Sequence, residues 1–87
     1  MADLHLPTTL PPLFVGLTRR LEIDAATVGE AIERLEEQWP GLRDRLCEPG
    51  PVLRKHINVY VDRERAGLDT PLDARSRVDV IAAISGG

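Results

Sequence analysis

Residues 27–39, with the sequence Thr-Val-Gly-Glu-Ala-Ile-Glu-Arg-Leu-Glu-Glu-Gln-Trp, carry the clearest pattern in the chain. Thr27 and Glu30 have the spacing of a capping box, in which the threonine hydroxyl accepts from the Glu30 amide and the Glu30 carboxylate accepts from the Thr27 amide. Apolar residues recur at helical spacing and would form one face of the helix, opposite a mainly acidic face. These apolar residues are Val28, Ala31, Ile32, Leu35 and Trp39. Pro40-Gly41 should end the helix, because proline lacks an amide donor. The pattern predicts an amphipathic helix with one buried face.

Strand patterns flank this helix on both sides. Residues 3–9 and 19–23 alternate apolar and polar residues and predict a hairpin, in which Pro7 should lie at an edge or end the first strand. Residues 55–62 alternate strictly, and the side chains that should face the helix are Ile57, Val59 and Val61. The final strand is predicted at residues 78–84.

The connecting segments are short and mostly polar. Residues 42–47 predict one more short helical piece, and residues 48–51 a loop. Residues 62–67 predict a charged turn. The connection between the first two strands is unusually apolar, since it contains Leu13, Phe14, Val15 and Leu17. Two interpretations of this loop stay open: it packs back onto the core, or part of it contacts a partner.

The order strand, strand, helix, strand, irregular crossing, strand is typical of a single sheet covered on one face by a helix. If the first and last strands are central neighbours, this is the β-grasp (ubiquitin-like) fold of the α+β class, with a mixed sheet of four to five strands. We expect a β-grasp domain over residues 1–83 and a flexible tail over residues 84–87. The tail contains two glycines, which have no side chain to bury.

Length and composition exclude several classes of function. A chain of 87 residues is one domain, too small to enclose a deep active site, so catalysis by this chain alone is not expected. The net charge of −3 and the pI of about 5.3 argue against a nucleic-acid partner. Because no apolar run could span a membrane and no secretory pattern opens the chain, we expect a cytoplasmic protein with no membrane partner.

Reactive side chains are few. Cys47 is the single cysteine, which excludes an internal disulfide. With only His5 and His56 to assist it, no metal site is expected, and no orienting motif favours a cysteine nucleophile paired with either histidine. Lys55 is the single lysine, so the chain is a poor acceptor of isopeptide bonds and is better suited to be a donor.

Three segments of the C-terminal third carry a resemblance to a known family. They are Asn-Val-Tyr-Val-Asp at 58–62, Thr-Pro-Leu at 70–72, and the run 73–87 that ends in Ser-Gly-Gly. Together they resemble the MoaD/ThiS family of ubiquitin-like sulfur carriers. Two departures are visible, because Ala74-Arg75 stands at or near the usual Asp-Gly turn and Asp62 occupies a position often held by asparagine.

Within this family the chain is most similar to the CysO-type carriers, which serve cysteine biosynthesis. Residues 6–10, the pair Arg45-Leu46 and the strand 57–61 carry that similarity.

The resemblance implies that the reaction takes place at Gly87. An E1-like enzyme would use ATP and Mg²⁺ to convert the Gly87 carboxylate to an acyl adenylate, and a sulfur donor would then replace AMP to leave a thiocarboxylate. ATP and Mg²⁺ would be used by that enzyme, and this chain would bind no cofactor. Ser85, Gly86 and Gly87 would thread into the partner, while the residues that contact its surface would be Ile81, Tyr60 and Arg65.

The implied partners are the E1-like adenylating or sulfurtransferase enzyme, a sulfur-accepting synthase of the cysteine synthase kind, and a peptidase that cleaves the adduct. Other interpretations stay open: a small subunit of molybdopterin synthase, a carrier for thiamin or natural products, or a ubiquitin-like modifier that forms isopeptide bonds. A further interpretation is a non-covalent binding module whose C-terminal tail has no role in function. For Ile81 two interpretations stay open: it contacts a partner, or it is buried by the apolar loop at Phe14.

Overall fold

The computed structural model describes residues 1–83, and the predicted tail at 84–87 lies outside the described residues. Along the chain the elements are β1 (Ala2–His5), a 3-10 helix (Pro11–Leu13), β2 (Arg20–Ile23), α1 (Val28–Gln38), α2 (Leu42–Leu46), β3 (Cys47–Glu48), β4 (Val52–Leu53), β5 (Ile57–Val61), β6 (Glu64–Ala66) and β7 (Arg77–Ala82).

β1 and β7 are parallel neighbours at the centre of a five-stranded sheet with the order β2-β1-β7-β5-β6. Their register places Leu4 opposite Val78. The other pairs in this sheet are antiparallel, and β1 and β2 form the predicted hairpin. The central position of the first and last strands is the arrangement that defines the predicted β-grasp, so the α+β prediction is confirmed.

An aliphatic core lies between α1 and one face of the sheet. The buried residues of α1 are Val28, Ala31, Ile32 and Leu35, and those of the sheet include Leu4, Ile57, Val59, Val78 and Val80. Full burial of a valine, leucine or isoleucine side chain contributes about 1.5–3 kcal/mol, so this amphipathic face is a main source of stability. Trp39, predicted to belong to the same face, is the C-cap of α1 and is only half-buried.

The predicted capping box is present with one change. The Thr27 hydroxyl accepts from the Glu30 amide at 3.1 Å, as expected. The Glu30 carboxylate accepts from the amide of Ala26 at 3.2 Å, whereas the pattern predicts the Thr27 amide. Thr27 also forms an antiparallel β-bridge with Pro71, which lies in the connection between β6 and β7. Both bonds stabilise the first turn of α1.

Two hairpins differ from the sequence-based prediction. β3 and β4 pair across the predicted loop at 48–51, and strands of two residues are too short to show alternation. The segment 62–67, predicted as a charged turn, contains β6 at the sheet edge, where charged side chains are tolerated. Only Asp62 and Arg63 form the turn, with φ of 50° and 74°, as in a type I′ hairpin.

Candidate docking face at the root of the tail

The predicted tail follows the central strand of the sheet. β7 lies between β1 and β5 and ends at Ala82. The Ala83 amide then donates a 2.6 Å hydrogen bond to the His56 carbonyl, so Ala83 is still held beside the start of β5. We call Ala82 and Ala83 the tail root. The residues predicted to enter a partner, 85–87, lie outside the described part of the chain.

Ile81 points away from the core. Val78 and Val80 are buried, and because side chains alternate along a strand, Ile81 projects from the opposite face of the sheet. We call this the outer face. Ile81 is 47% exposed there, so the loop at Phe14 does not bury it. The geometry thus leaves Ile81 accessible, and its docking role stays a prediction.

Tyr60 and Arg65 extend the outer face towards the edge of the sheet. The register pairs Asp79 with Tyr60 and Tyr60 with Arg65, and paired residues project to the same side. Tyr60 is half-buried and Arg65 is exposed. All three predicted docking residues therefore share one surface.

Two carboxylates on this face, those of Asp3 and Asp79, are paired with neighbouring arginines. Asp3 accepts two hydrogen bonds from the Arg20 guanidinium, each of 3.1 Å, and its Oδ2 lies 3.0 Å from His5 Nε2. The bond from Arg20, followed by that from His5, holds the pKa of Asp3 below its ordinary value. Asp79 accepts from Arg77 Nε at 3.0 Å, and this hydrogen bond raises the pKa of Arg77. The negative charges of Asp3 and Asp79 are thus compensated by neighbouring arginines on the outer face.

A shallow groove of about 320 Å³ runs beside Ile81. Its lining includes Pro7, Thr8 and Arg19, which the sequence-based prediction did not assign to the site. These residues come from the connection between β1 and β2. They reach β7 only because β1 is its parallel neighbour, and no local sequence signal marks them.

The apolar loop between β1 and β2 is divided between core and solvent. Leu17 is buried and Phe14 packs against the core, which agrees with the first interpretation of the loop. Leu13 and Val15 are 51% and 98% exposed. For these two residues, contact with a partner stays a prediction.

Cys47, the single cysteine of the chain, is free and buried. Burial raises the pKa of the Cys47 thiol, which keeps it protonated and weakly nucleophilic. Within residues 1–83 no three or more His, Cys, Asp or Glu side chains are grouped so that they could hold a metal ion. None of the helices in this range has the length and apolar character needed to cross a membrane.

A family model described as the ThiS family matches residues 13–87. The chain belongs to the ThiS family. One ThiS-family relative of similar length is the sulfur carrier protein CysO of Mycobacterium tuberculosis, 30% identical over 88 residues, which cover 94% of each chain. Small archaeal modifier protein 3 of Haloferax volcanii is 41% identical over 68 residues, which cover 74% of this chain and 73% of the relative.

A solved structure supports the same placement in the ThiS family. A chain in the crystal structure of the Amycolatopsis orientalis BexX/CysO complex superposes on this one with a TM-score of 0.87 and 28% identity, over 100% of both chains. The resemblance to MoaD/ThiS proteins close to CysO, which short segments of the sequence first indicated, is confirmed.

Proposed function

We propose that this ThiS-family chain is a sulfur carrier whose reactive group is the C-terminal carboxylate of Gly87. The observation that carries the proposal is the family match over residues 13–87, which includes β7 and the Ser-Gly-Gly ending. The fold supports it, because the central strand β7 ends at Ala82 and the Ser-Gly-Gly sequence follows soon after. The chain is then a protein co-substrate and not an enzyme.

The chemistry begins with a poor electrophile. The charge of a carboxylate is delocalised and its leaving group would be an oxide, so a partner enzyme must first activate it. That enzyme joins the Gly87 carboxylate to the AMP moiety of ATP, and pyrophosphate leaves. A hydrosulfide equivalent then attacks the carbonyl carbon: a C–S bond forms, the C–O bond to AMP breaks, and a thiocarboxylate remains. ATP and Mg²⁺ belong to the partner in this scheme.

Each part of the C-terminal region has a role in this proposal. Glycine at 86 and 87 lets the enzyme wall approach the backbone, because no Cβ intervenes. Ser85 lies between this pair and the strand. Ile81 is the apolar contact with the enzyme surface, and Tyr60 and Arg65 add polar contacts from the same outer face.

Cysteine biosynthesis is the pathway that we favour, because a CysO protein matches 94% of this chain. The thiocarboxylate sulfur would form a C–S bond to the β-carbon of an activated serine held by a cysteine synthase-like enzyme, and the activating group of the serine would leave. The carrier would then stay joined to the product through its acyl group. A peptidase would hydrolyse this adduct and restore the Gly87 carboxylate. We place these steps in the cytoplasm, where ATP and a reducing environment are both available.

A second candidate is a ubiquitin-like modifier, favoured by the 41% identity with small archaeal modifier protein 3. Activation would be the same, but the acyl group would pass to a lysine amine on another protein. A ladder of adducts on a denaturing gel, sensitive to deletion of Gly87, would support this function. Unmodified partner proteins in the presence of active adenylating enzyme would count against it.

The test of the carrier function is the intact mass of the chain after incubation with an E1-like adenylating enzyme from the same organism, ATP and a sulfide donor. We expect one oxygen of the C-terminal carboxylate to be replaced by sulfur. Deletion of Gly87 should abolish this change, whereas Val52→Ala, in the separate β3–β4 hairpin, should not affect it. A wild-type chain that keeps its carboxylate under these conditions would refute the carrier function.

A further inference from the structure

Two exposed apolar side chains, those of Leu13 and Ile81, lie beside the tail root. Within residues 1–83, the large hydrophobic residues that stay exposed are Met1, Leu13, Val15, Val52 and Ile81. Ile81 directly precedes the tail root. Leu13 lines a cleft of about 200 Å³ together with Ala82 of the tail root, and Val15 belongs to the same loop. The loop therefore places apolar surface beside the point where the predicted tail begins.

Topology explains this proximity. β1 and β7 are parallel, so the C-terminal ends of both strands lie at the same end of the sheet. The apolar loop follows β1, and the tail root follows β7. An enzyme that receives Gly87 would approach this end of the sheet, where the loop after β1 also lies.

The loop is held in one conformation by its own backbone. Pro11 and Pro12 open its 3-10 helix, where their fixed φ angles restrict the chain. The Leu17 amide donates to the Phe14 carbonyl at 3.3 Å, and Gly16, with φ of 81°, occupies the third position of this turn. Positive φ at that position is the requirement of a type II turn. Val15 is consequently fixed at the tip of the loop.

Trp39 ties this tip to the helix. Its indole Nε1 donates a 2.9 Å hydrogen bond to the Val15 carbonyl, which lies 24 residues earlier in the chain. The neighbouring residues Phe14 and Leu17 turn inward, while the side chain of Val15 stays 98% exposed. The loop is thus anchored on both sides of Val15, whose own side chain is left almost fully open to solvent.

We propose that Leu13 and Val15 form a second docking contact, which packs into an apolar surface at the mouth of the site where the adenylating enzyme receives Gly87. Trp39 is the positioning residue of this contact. The inference rests on the proposed carrier function and adds a surface to it, separate from Ile81 on the outer face. A loop that is already ordered loses little conformational entropy on binding, so its apolar area contributes more fully to affinity.

The test is steady-state kinetics of pyrophosphate release by the adenylating enzyme, with the full chain as the varied substrate. Val15→Asp and Leu13→Asp should each raise KM by about tenfold and leave kcat unchanged, because replacing an apolar side chain with a charge at the interface weakens binding before the reaction. Val52→Asp is the matched control, and its KM should stay within about twofold of the wild type. Circular dichroism checks that all three variants are folded.

The positioning role of Trp39 needs its own variant. Trp39→Phe removes the N–H donor and keeps an aromatic ring, so KM should rise by about two- to fivefold with kcat unchanged. Hydrogen exchange of the Leu17 amide should become faster, while exchange of amides in β5 and β7 should not change. Faster exchange throughout the sheet would indicate a general structural defect and would overturn the positioning role.

The outcomes separate the two proposals. If the wild-type chain is adenylated and Val15→Asp and Leu13→Asp behave like Val52→Asp, the second docking contact is refuted and the carrier function stands. If the wild-type chain is not adenylated at Gly87, the carrier function fails, and the docking contact fails with it.

Discussion

Ile81 lies directly opposite Asn58 in the antiparallel pair of β7 and β5, on the face of the sheet that points away from α1. Asn58 is half-buried and Ile81 is 47% exposed, so the two side chains leave apolar surface open to a partner. The neighbouring Val80 is 5% exposed and serves the core. Adjacent residues of β7 thus face opposite sides of the sheet, Val80 towards the core and Ile81 towards solvent.

Ile81→Asp should weaken docking to the adenylating enzyme without unfolding the domain. Removal of a partly exposed isoleucine from the interface corresponds to about tenfold in KM, since about 1.4 kcal/mol is tenfold in affinity. The melting temperature should change little, whereas Val80→Asp should unfold the domain because it places an unpaired charge in the core. A KM for Ile81→Asp equal to that of the wild type would contradict the docking role.

Thr27→Ala should destabilise the domain by about 1 kcal/mol, because the Glu30 amide loses the side-chain oxygen that caps α1. Urea denaturation at equilibrium measures this change. Thr9→Ala, at an exposed position, is the control and should leave the unfolding free energy nearly unchanged. Equal effects of the two substitutions would show that the cap does not contribute.

Glu36 should make the stability of the domain depend on pH in the acid range. Its carboxylate accepts hydrogen bonds from the Gly41 amide at 3.0 Å and the Arg43 amide at 2.8 Å. These bonds, first that from Gly41 and then that from Arg43, lower the pKa of Glu36 below its ordinary value of 4.5. A lowered pKa in the folded state stabilises the protein above the ordinary value, and this stabilisation is lost as the pH falls through the folded pKa.

Glu36→Gln keeps an acceptor but removes the charge, and it tests this dependence. The wild type should be more stable than Glu36→Gln at about pH 7, and the difference should shrink as the pH falls below 4.5 and through the lowered pKa of Glu36. Urea denaturation at pH values across this range measures the difference. A difference that is independent of pH would mean that the charge of Glu36 plays no part.

Arg63→Gly should stabilise the domain by up to about 1 kcal/mol, because Arg63 has a φ of 74°, which is unfavourable for an L-residue with a side chain. The variant creates Asp-Gly, a preferred pair for a type I′ turn. Arg65→Gly is the matched control within β6 and should destabilise, since glycine weakens a strand. Destabilisation by Arg63→Gly in thermal unfolding would contradict this account of the turn.

Local patterns were sufficient to predict α1, the β1–β2 hairpin and the core positions of β5 and β7. Each of these elements has one buried face, and burial imposes a period of 3.6 or 2 on the sequence. β6 and the β3–β4 hairpin were not predicted, because edge or two-residue strands carry no such period. The predicted partner of the Glu30 carboxylate was also wrong, because the amide within its reach is set by the backbone geometry in front of the helix, which residue spacing does not specify.

Residue type and spacing along the chain were enough to establish the amphipathic elements, the aliphatic core and the family resemblance. What surrounds the tail root depends instead on the tertiary structure. Pro7, Arg19 and Leu13 come near the end of β7 because the first and last strands pair in parallel, and that pairing joins residues from opposite ends of the chain. Contacts of this kind leave no local pattern, because they are set by strand order and not by periodicity.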